Sequence, residues 1–214
     1  MMYLDRKDAG LRLVEELGDY KGRGDVVVLA LPRGGVVTGF EIAAGLKVAM
    51  DVLIVRKIGF PYQPELAIGA VSETGAVFLN HKLIKAYGVA DDYVENEINR
   101  QKEEIARRVK LYREGKKITE LKNRTVILTD DGVATGATMK AAIAALKEEK
   151  LKELVIALPV APPDTADELK KTADKFICLE TPPDFMAVGG YYRDFTQVTD
   201  EEVIKYLRKA WGGE

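Results

Sequence analysis

The sequence predicts an α/β fold, with a central, mostly parallel sheet flanked by helices. Three observations carry this expectation. Short continuous apolar runs recur along the chain without the polar alternation of a half-exposed strand. Segments between them place apolar residues at helical spacing. Glycine-rich turns stand where the apolar runs end.

Taken in order, Asp5 caps a helix that runs to about Leu17, with Leu4, Leu11, Val14 and Leu17 on one stripe. Residues 18–24 read as a loop. Val26–Leu31 is a buried strand that ends in Pro32-Arg33-Gly34-Gly35, and a helix carrying Val37, Phe40, Ile42 and Leu46 follows. A second buried strand is expected over about Val52–Arg56. Between Gly59 and about Asn80 the texture changes. Pro61, Pro64, Gly69 and Gly75 punctuate β-prone pieces, and Ser72-Glu73-Thr74-Gly75 reads as a hairpin turn.

Asp91 to about Arg113 is a long charged helix with a narrow apolar stripe of Val94, Ile98, Ile105, Val109 and Tyr112. The alternating pattern then resumes. Thr125–Thr129 is a strand, Gly136 to about Glu148 a helix, Glu153–Pro159 a strand, Asp164–Lys171 a helix and Lys175–Leu179 a strand. A loop rich in Pro, Gly and aromatics spans Thr181–Gln197, and a last helix covers Asp200 to about Lys209.

Composition narrows the function classes. A chain of 214 residues, 47% of them hydrophobic, can bury one core, or one core with a small lobe. A net charge of −2 from 32 basic and 34 acidic residues provides no general field, so nucleic acid is not an expected partner. The single cysteine, Cys178, forms neither an intrachain disulfide nor a zinc site alone, and a reducing, cytoplasmic location is expected. No apolar run approaches the roughly 18 residues that span a bilayer, and the charged start lacks a signal peptide's apolar centre. No membrane partner is expected. Cys178 within its apolar strand reads as core, and His81, the only histidine, as a surface residue.

The strongest chemical signal is the run from Val126 to Met139. An apolar strand delivers Asp130 and Asp131 at its C-terminal end, where open α/β sheets place their ligands. Gly132 and Gly136 allow a tight turn and close approach of a ligand. Thr135 and Thr138 add hydroxyls, and the helix start adds amides, which together make a site for one phosphate. Two carboxylates suit vicinal hydroxyls, or a metal held through water. Neither a Walker A loop nor a dinucleotide fingerprint is present. Leu31-Pro32-Arg33-Gly34-Gly35 is the second element: glycines expose amides, and Arg33 can grip a diphosphate.

The Val126–Met139 segment resembles the phosphoribosyl pyrophosphate motif of type I phosphoribosyltransferases, an apolar strand, two acids and then Thr-Gly-x-Thr. Leu31–Gly35, Arg56-Lys57-Ile58-Gly59 and Pro64–Ala70 resemble a group of bacterial and archaeal phosphoribosyltransferases with no settled substrate. The resemblance implies one such domain over residues 1–214, with a loop and helical insertion at 59–120 and a hood at 181–197. It implies that Asp130 and Asp131 take the ribose hydroxyls, and that Ala134, Thr135, Gly136, Ala137 and Thr138 wrap the 5′-phosphate. Arg33, Gly34 and Gly35 would hold pyrophosphate, and Arg33 and Lys57, or Arg56 beside it, would neutralise the leaving group. In relatives a mobile loop in the place of 59–80 covers the site.

Relatives also build their hood for the acceptor base from such a C-terminal segment. Phe185 or Tyr192 could stack on a ring and Asp184 or Asp194 could read its edge, or these aromatics simply pack the lobe. The implied reaction moves ribose 5-phosphate from phosphoribosyl pyrophosphate to a small-molecule nitrogen acceptor, with Mg²⁺ on the diphosphate, in a homodimer. Hypoxanthine-guanine and xanthine transferases carry an aspartate where this chain has Ala134, so a 6-oxopurine acceptor lacks its usual proton acceptor. Two other readings share these residues: a regulatory protein that senses the ligand without catalysis, and an enzyme that hydrolyses or phosphorolyses a nucleoside.

Overall fold

In the computed structural model the described residues are 2–115 and 117–212, the side chains of Pro64 and Glu65 apart. The chain runs α1 (Arg6–Glu16), β1 (Val26–Ala30), α2 (Gly35–Leu46) and β2 (Ala49–Val52). Then come β3 (Val55–Phe60), β4 (Gln63–Ser72), β5 (Val77–Leu79), α3 (His81–Ala86) and α4 (Asp91–Arg113). It continues through β6 (Thr125–Thr129), α5 (Ala137–Lys147), β7 (Glu153–Val160), α6 (Pro163–Lys170), β8 (Lys175–Glu180) and α7 (Asp200–Ala210). No helix among the described residues is long and apolar enough to cross a membrane.

Contacts gather into two units. The first holds Met1–Val52, Ile118–Gly136 and Lys150–Glu214; the second holds Leu53–Lys117 and Ala137–Glu149. The second unit therefore begins earlier than the expected insertion at residue 59, and it takes in α5 as well.

In the first unit, five strands form a parallel sheet in the order β2-β1-β6-β7-β8. Every residue of β1 and β6 is buried, as their unbroken apolar sequences require. Burying each Val, Leu or Ile contributes roughly 1.5–3 kcal/mol before the cost of ordering it. The chain moves one way from β1 to β2 and the other way from β6 to β7 and β8, so the connections diverge between β1 and β6. Ala30 pairs with Thr129 across that boundary, which brings the ends of the two strands level. Asp5 caps α1 by accepting from the Lys7 and Asp8 amides, and Thr199 and Glu202 form a reciprocal capping box at α7.

In the second unit, β3, β4 and β5 form an antiparallel sheet. The Ser72–Gly75 turn joins β4 to β5, and its sharpness rests on Gly75 at φ +92°. The helix α4 has the bounds its sequence pattern predicts and packs on β3 and β4, with Val94, Ile105 and Tyr112 buried. At its end Arg113 forms a buried ion pair with Glu73, the two side chains 1% and 4% exposed. The other Glu73 oxygen accepts from the Ile54 amide at 2.7 Å.

The strand expected over Val52–Arg56 is two strands. Val52 ends β2 in the parallel sheet, and Val55 begins β3 in the antiparallel one. The apolar run Val52-Leu53-Ile54-Val55 conceals the break, because it is made by hydrogen bonds rather than by a turn residue. The Ile54 amide donates to the Glu73 carboxylate and its carbonyl accepts from the Glu73 amide, so neither group pairs in a strand ladder. In consequence Arg56 and Lys57 do not end a strand of the parallel sheet. They lie on β3, opposite Val71 and Ala70.

Removing one member of a buried ion pair leaves the other charge uncompensated. Arg113→Met is expected to lower unfolding stability by about 3–5 kcal/mol in urea titration; a loss below about 1 kcal/mol would show that the pair is not structurally important.

Candidate sugar-phosphate site

The site is built on the first unit, where β1 and β6 end side by side. The loop after β1 is Leu31–Gly34, in which the Pro32–Arg33 peptide bond is cis. The Leu31 amide donates to the Thr129 carbonyl at 3.0 Å, so this loop starts against the end of β6. Gly34 and Gly35 then open α2. A Cβ on Gly35 would lie 2.8 Å from Asp130 Cα, and one on Gly34 would fall inside the Asp131 carboxylate. Only glycine allows the two loops to meet this closely.

The second loop runs from Asp130 to Gly136 and is fixed at its middle. The Val133 amide donates to the Val160 carbonyl at 2.9 Å, and the Thr165 hydroxyl donates to the Ala134 carbonyl at 2.9 Å. Gly132 has φ +148°, and a Cβ there would sit 2.6 Å from a methyl of Val188. Gly136, at φ +73°, turns the chain into α5. Ala134 and Thr135 are exposed on this loop; Ala137 and Thr138, the first turn of α5, belong to the second unit.

The two carboxylates differ. Asp130 Oδ1 accepts from the Asp131 amide at 2.8 Å. Asp131 Oδ2 accepts from Arg6 Nε at 2.7 Å, both side chains being nearly buried. The Asp130 carboxyl also lies within hydrogen-bonding reach of the Asp131 carboxylate, so the two acids act as a pair. Burial, and then the charge on Asp131, hold the Asp130 carboxyl well above the usual carboxylate range. The Arg33 guanidinium makes no hydrogen bond or ion pair among the described residues and is half exposed on its loop.

Three residues that support this arrangement have no sequence motif of their own. Arg6, from α1, also donates through a terminal nitrogen to the Thr196 carbonyl at 2.8 Å, and its guanidinium lies 3.9 Å from the centre of the Phe195 ring. The Tyr192 hydroxyl donates to the Asp131 carbonyl. Thr165 holds the Ala134 carbonyl. A charged residue at a helix start and a tyrosine in a loop carry no signal that they meet residues more than 30 positions away.

Tyr192 corrects one expectation. It is 5% exposed, with its ring 5.2 Å from Tyr3 and 5.0 Å from Phe195. A ring so enclosed packs the C-terminal loop and cannot also stack on an acceptor. Phe185 is half-buried and stacks on Tyr191 at 5.5 Å. Asp184 is exposed, while Asp194 is exposed and accepts from the amide and hydroxyl of Thr196.

Lys57 belongs to the second unit. So does Arg56, whose Nε donates to Gln101 at 3.0 Å. Cys178 lies on the edge strand β8, half-buried rather than in the core as its apolar run suggests, and burial pushes its thiol up to about 11. His81 is exposed at the start of α3.

A parallel sheet with a glycine loop and a paired-acid loop at its switch point defines an α/β protein with a candidate ligand site at that point. The family model described as phosphoribosyl transferase domain matches residues 3–196, and the chain belongs to that family. A Mycobacterium tuberculosis H37Rv protein named for a phosphoribosyl transferase is 42% identical over 212 residues. That match covers 98% of this chain and 47% of the relative, so the chain spans about half the length of the curated protein. The crystal structure of TT1426 from Thermus thermophilus is 43% identical, with a TM-score of 0.85, covering 98% of this chain and 99% of the other. A hypothetical protein from Neisseria gonorrhoeae, solved with bound ppGpp, shares the fold at 10% identity and a TM-score of 0.51, covering 98% and 94% of the two chains.

The elevated Asp130 carboxyl has a pH signature. The folded protein holds this proton more tightly than the unfolded chain, so stability falls as pH rises from the unfolded value through the folded one. Asn cannot ionise in either state. Asp130→Asn should therefore gain melting temperature over the native protein as pH rises from about 4 towards 8; a constant difference across that range would contradict the raised carboxyl.

Proposed function

We propose that this chain transfers a ribose 5-phosphate group from phosphoribosyl pyrophosphate to a nitrogen atom of a small acceptor and releases pyrophosphate. The observation that carries the proposal is the contact between the two loops. Gly34 and Gly35 abut Asp131 and Asp130, so a diphosphate grip and a diol grip stand side by side at the switch point. The distance between a ribose diol and the diphosphate on its C1′ is short, and adjoining grips suit such a ligand.

In this reading Asp130 Oδ2 and Asp131 Oδ1 accept from the ribose hydroxyls. The contiguous segment Ala134–Thr138 takes the 5′-phosphate through its hydroxyls and the amides of a helix start. That binding energy lies away from the reacting carbon and serves to orient it. The C1′–O bond to pyrophosphate breaks as the acceptor nitrogen forms its bond to C1′, and the acceptor then loses a proton. Arg33 and the amides of Gly34 and Gly35 stabilise the charge gathering on the departing diphosphate. Lys57 is proposed as a further cation for that group.

No cluster of three or more metal-ligating side chains occurs among the described residues. Mg²⁺ is proposed to arrive on the diphosphate and to be held through that ligand and its own water, with no direct protein ligand. When bound, that ion would neutralise diphosphate charge. Phe185, Asp184 and Asp194 are proposed as the acceptor side, and a homodimer as the assembly. Ala134 on the phosphate loop removes the aspartate that 6-oxopurine transferases use, which leaves the acceptor to be found by screening.

Pyrophosphate release from Mg²⁺-phosphoribosyl pyrophosphate across a panel of nitrogenous bases tests this reading. Base-dependent release is expected, with Arg33→Ala lowering turnover by about 10²–10³-fold. Ligand binding with no base-dependent release would assign a sensor instead. Asp130→Asn combined with Asp131→Asn should weaken ligand binding in a folded protein; unchanged affinity would sink the site.

A further inference from the structure

Among the described residues, the one cation paired with these acids comes from outside both loops. Arg6 Nε donates to Asp131 Oδ2 at 2.7 Å, and Arg6 Nε also lies 3.0 Å from where a Cβ on Gly34 would stand. The same guanidinium donates to the Thr196 carbonyl and lies over Phe195. Phe195 in turn stacks on Tyr192, whose hydroxyl donates to the Asp131 carbonyl. Asp131 is thus held twice, at its carboxylate by Arg6 and at its backbone by Tyr192. Both holders are fixed by the loop Tyr192–Thr196. A planar guanidinium engaged on two sides has little freedom left, so the carboxylate it grips has one orientation.

We propose that Arg6 is a positioning residue for the sugar: it occupies Oδ2 of Asp131 and so turns Oδ1 to the ribose 2-hydroxyl, coupling the C-terminal loop to the sugar site. This role rests on the ribose assignment above. Arg6 does not touch the sugar; it acts through Asp131. The dependence is selective. A ligand without a full diol gains little from an aimed Asp131, while its phosphate still binds Ala134–Thr138.

Titration calorimetry with ribose 5-phosphate and with 2-deoxyribose 5-phosphate tests the role, on native protein, Arg6→Lys and Arg6→Gln. Lysine keeps the charge and so protects the fold, but it cannot make the two-sided contact. Both variants should lose about 10- to 100-fold in affinity for ribose 5-phosphate and less than about two-fold for the deoxy sugar. Adding Asp131→Asn to Arg6→Lys should cost little more than either change alone, as expected for residues acting as a unit. Equal losses for the two sugars would overturn the role, since loosened packing would weaken both. Variants that bind ribose 5-phosphate as tightly as the native chain would overturn it as well. If the native protein binds neither sugar phosphate, the donor site itself is wrong, and the role of Arg6 falls with it.

Discussion

The ion pair between Arg6 and Asp131 resolves a conflict that the paired-acid loop creates. Two neighbouring carboxylates packed under a glycine loop repel each other and lose water, and the higher Asp130 carboxyl records that cost. A single nearly buried guanidinium compensates one of the two charges. The glycines at 34 and 35 are needed because the acids lie so close, and the C-terminal loop is needed because the guanidinium must be held from its far side. Sheet topology, loop composition and the packing of the last loop all converge on this one carboxylate.

The same interaction explains why the aromatic loop is built as it is. Tyr3, Tyr192 and Phe195 form a small cluster that seats a tyrosine hydroxyl on the Asp131 carbonyl and a ring beneath Arg6. These residues stabilise the loop through buried area and ring contacts, each worth about 0.5–1.5 kcal/mol beyond the area. They thereby hold polar groups whose geometry a sugar ligand would feel. An acceptor base would have to be read by what the cluster leaves exposed.

Much of this was legible in the sequence, for identifiable reasons. The strands β1, β6 and β7 are buried on both faces and so spell themselves as apolar runs, and α4 announces both its ends by charge. The paired acids and the two glycine turns are local features, readable from spacing alone. What could not be read lies at long range. The break at Leu53–Ile54 is made by Glu73, some 20 residues on, and Arg6 meets its carboxylate across more than a hundred residues. Tyr192 has the composition of a stacking residue and the burial of a core one, which only three-dimensional packing separates.

Diffraction from crystals grown with Mg²⁺-phosphoribosyl pyrophosphate tests most directly whether one phosphorylated sugar lies across both loops. Density is expected with the ribose diol on Asp130 and Asp131, the 5′-phosphate in Ala134–Thr138 and the diphosphate against Arg33-Gly34-Gly35. Density for the ligand elsewhere, or for a ligand whose sugar does not touch the paired acids, would contradict it.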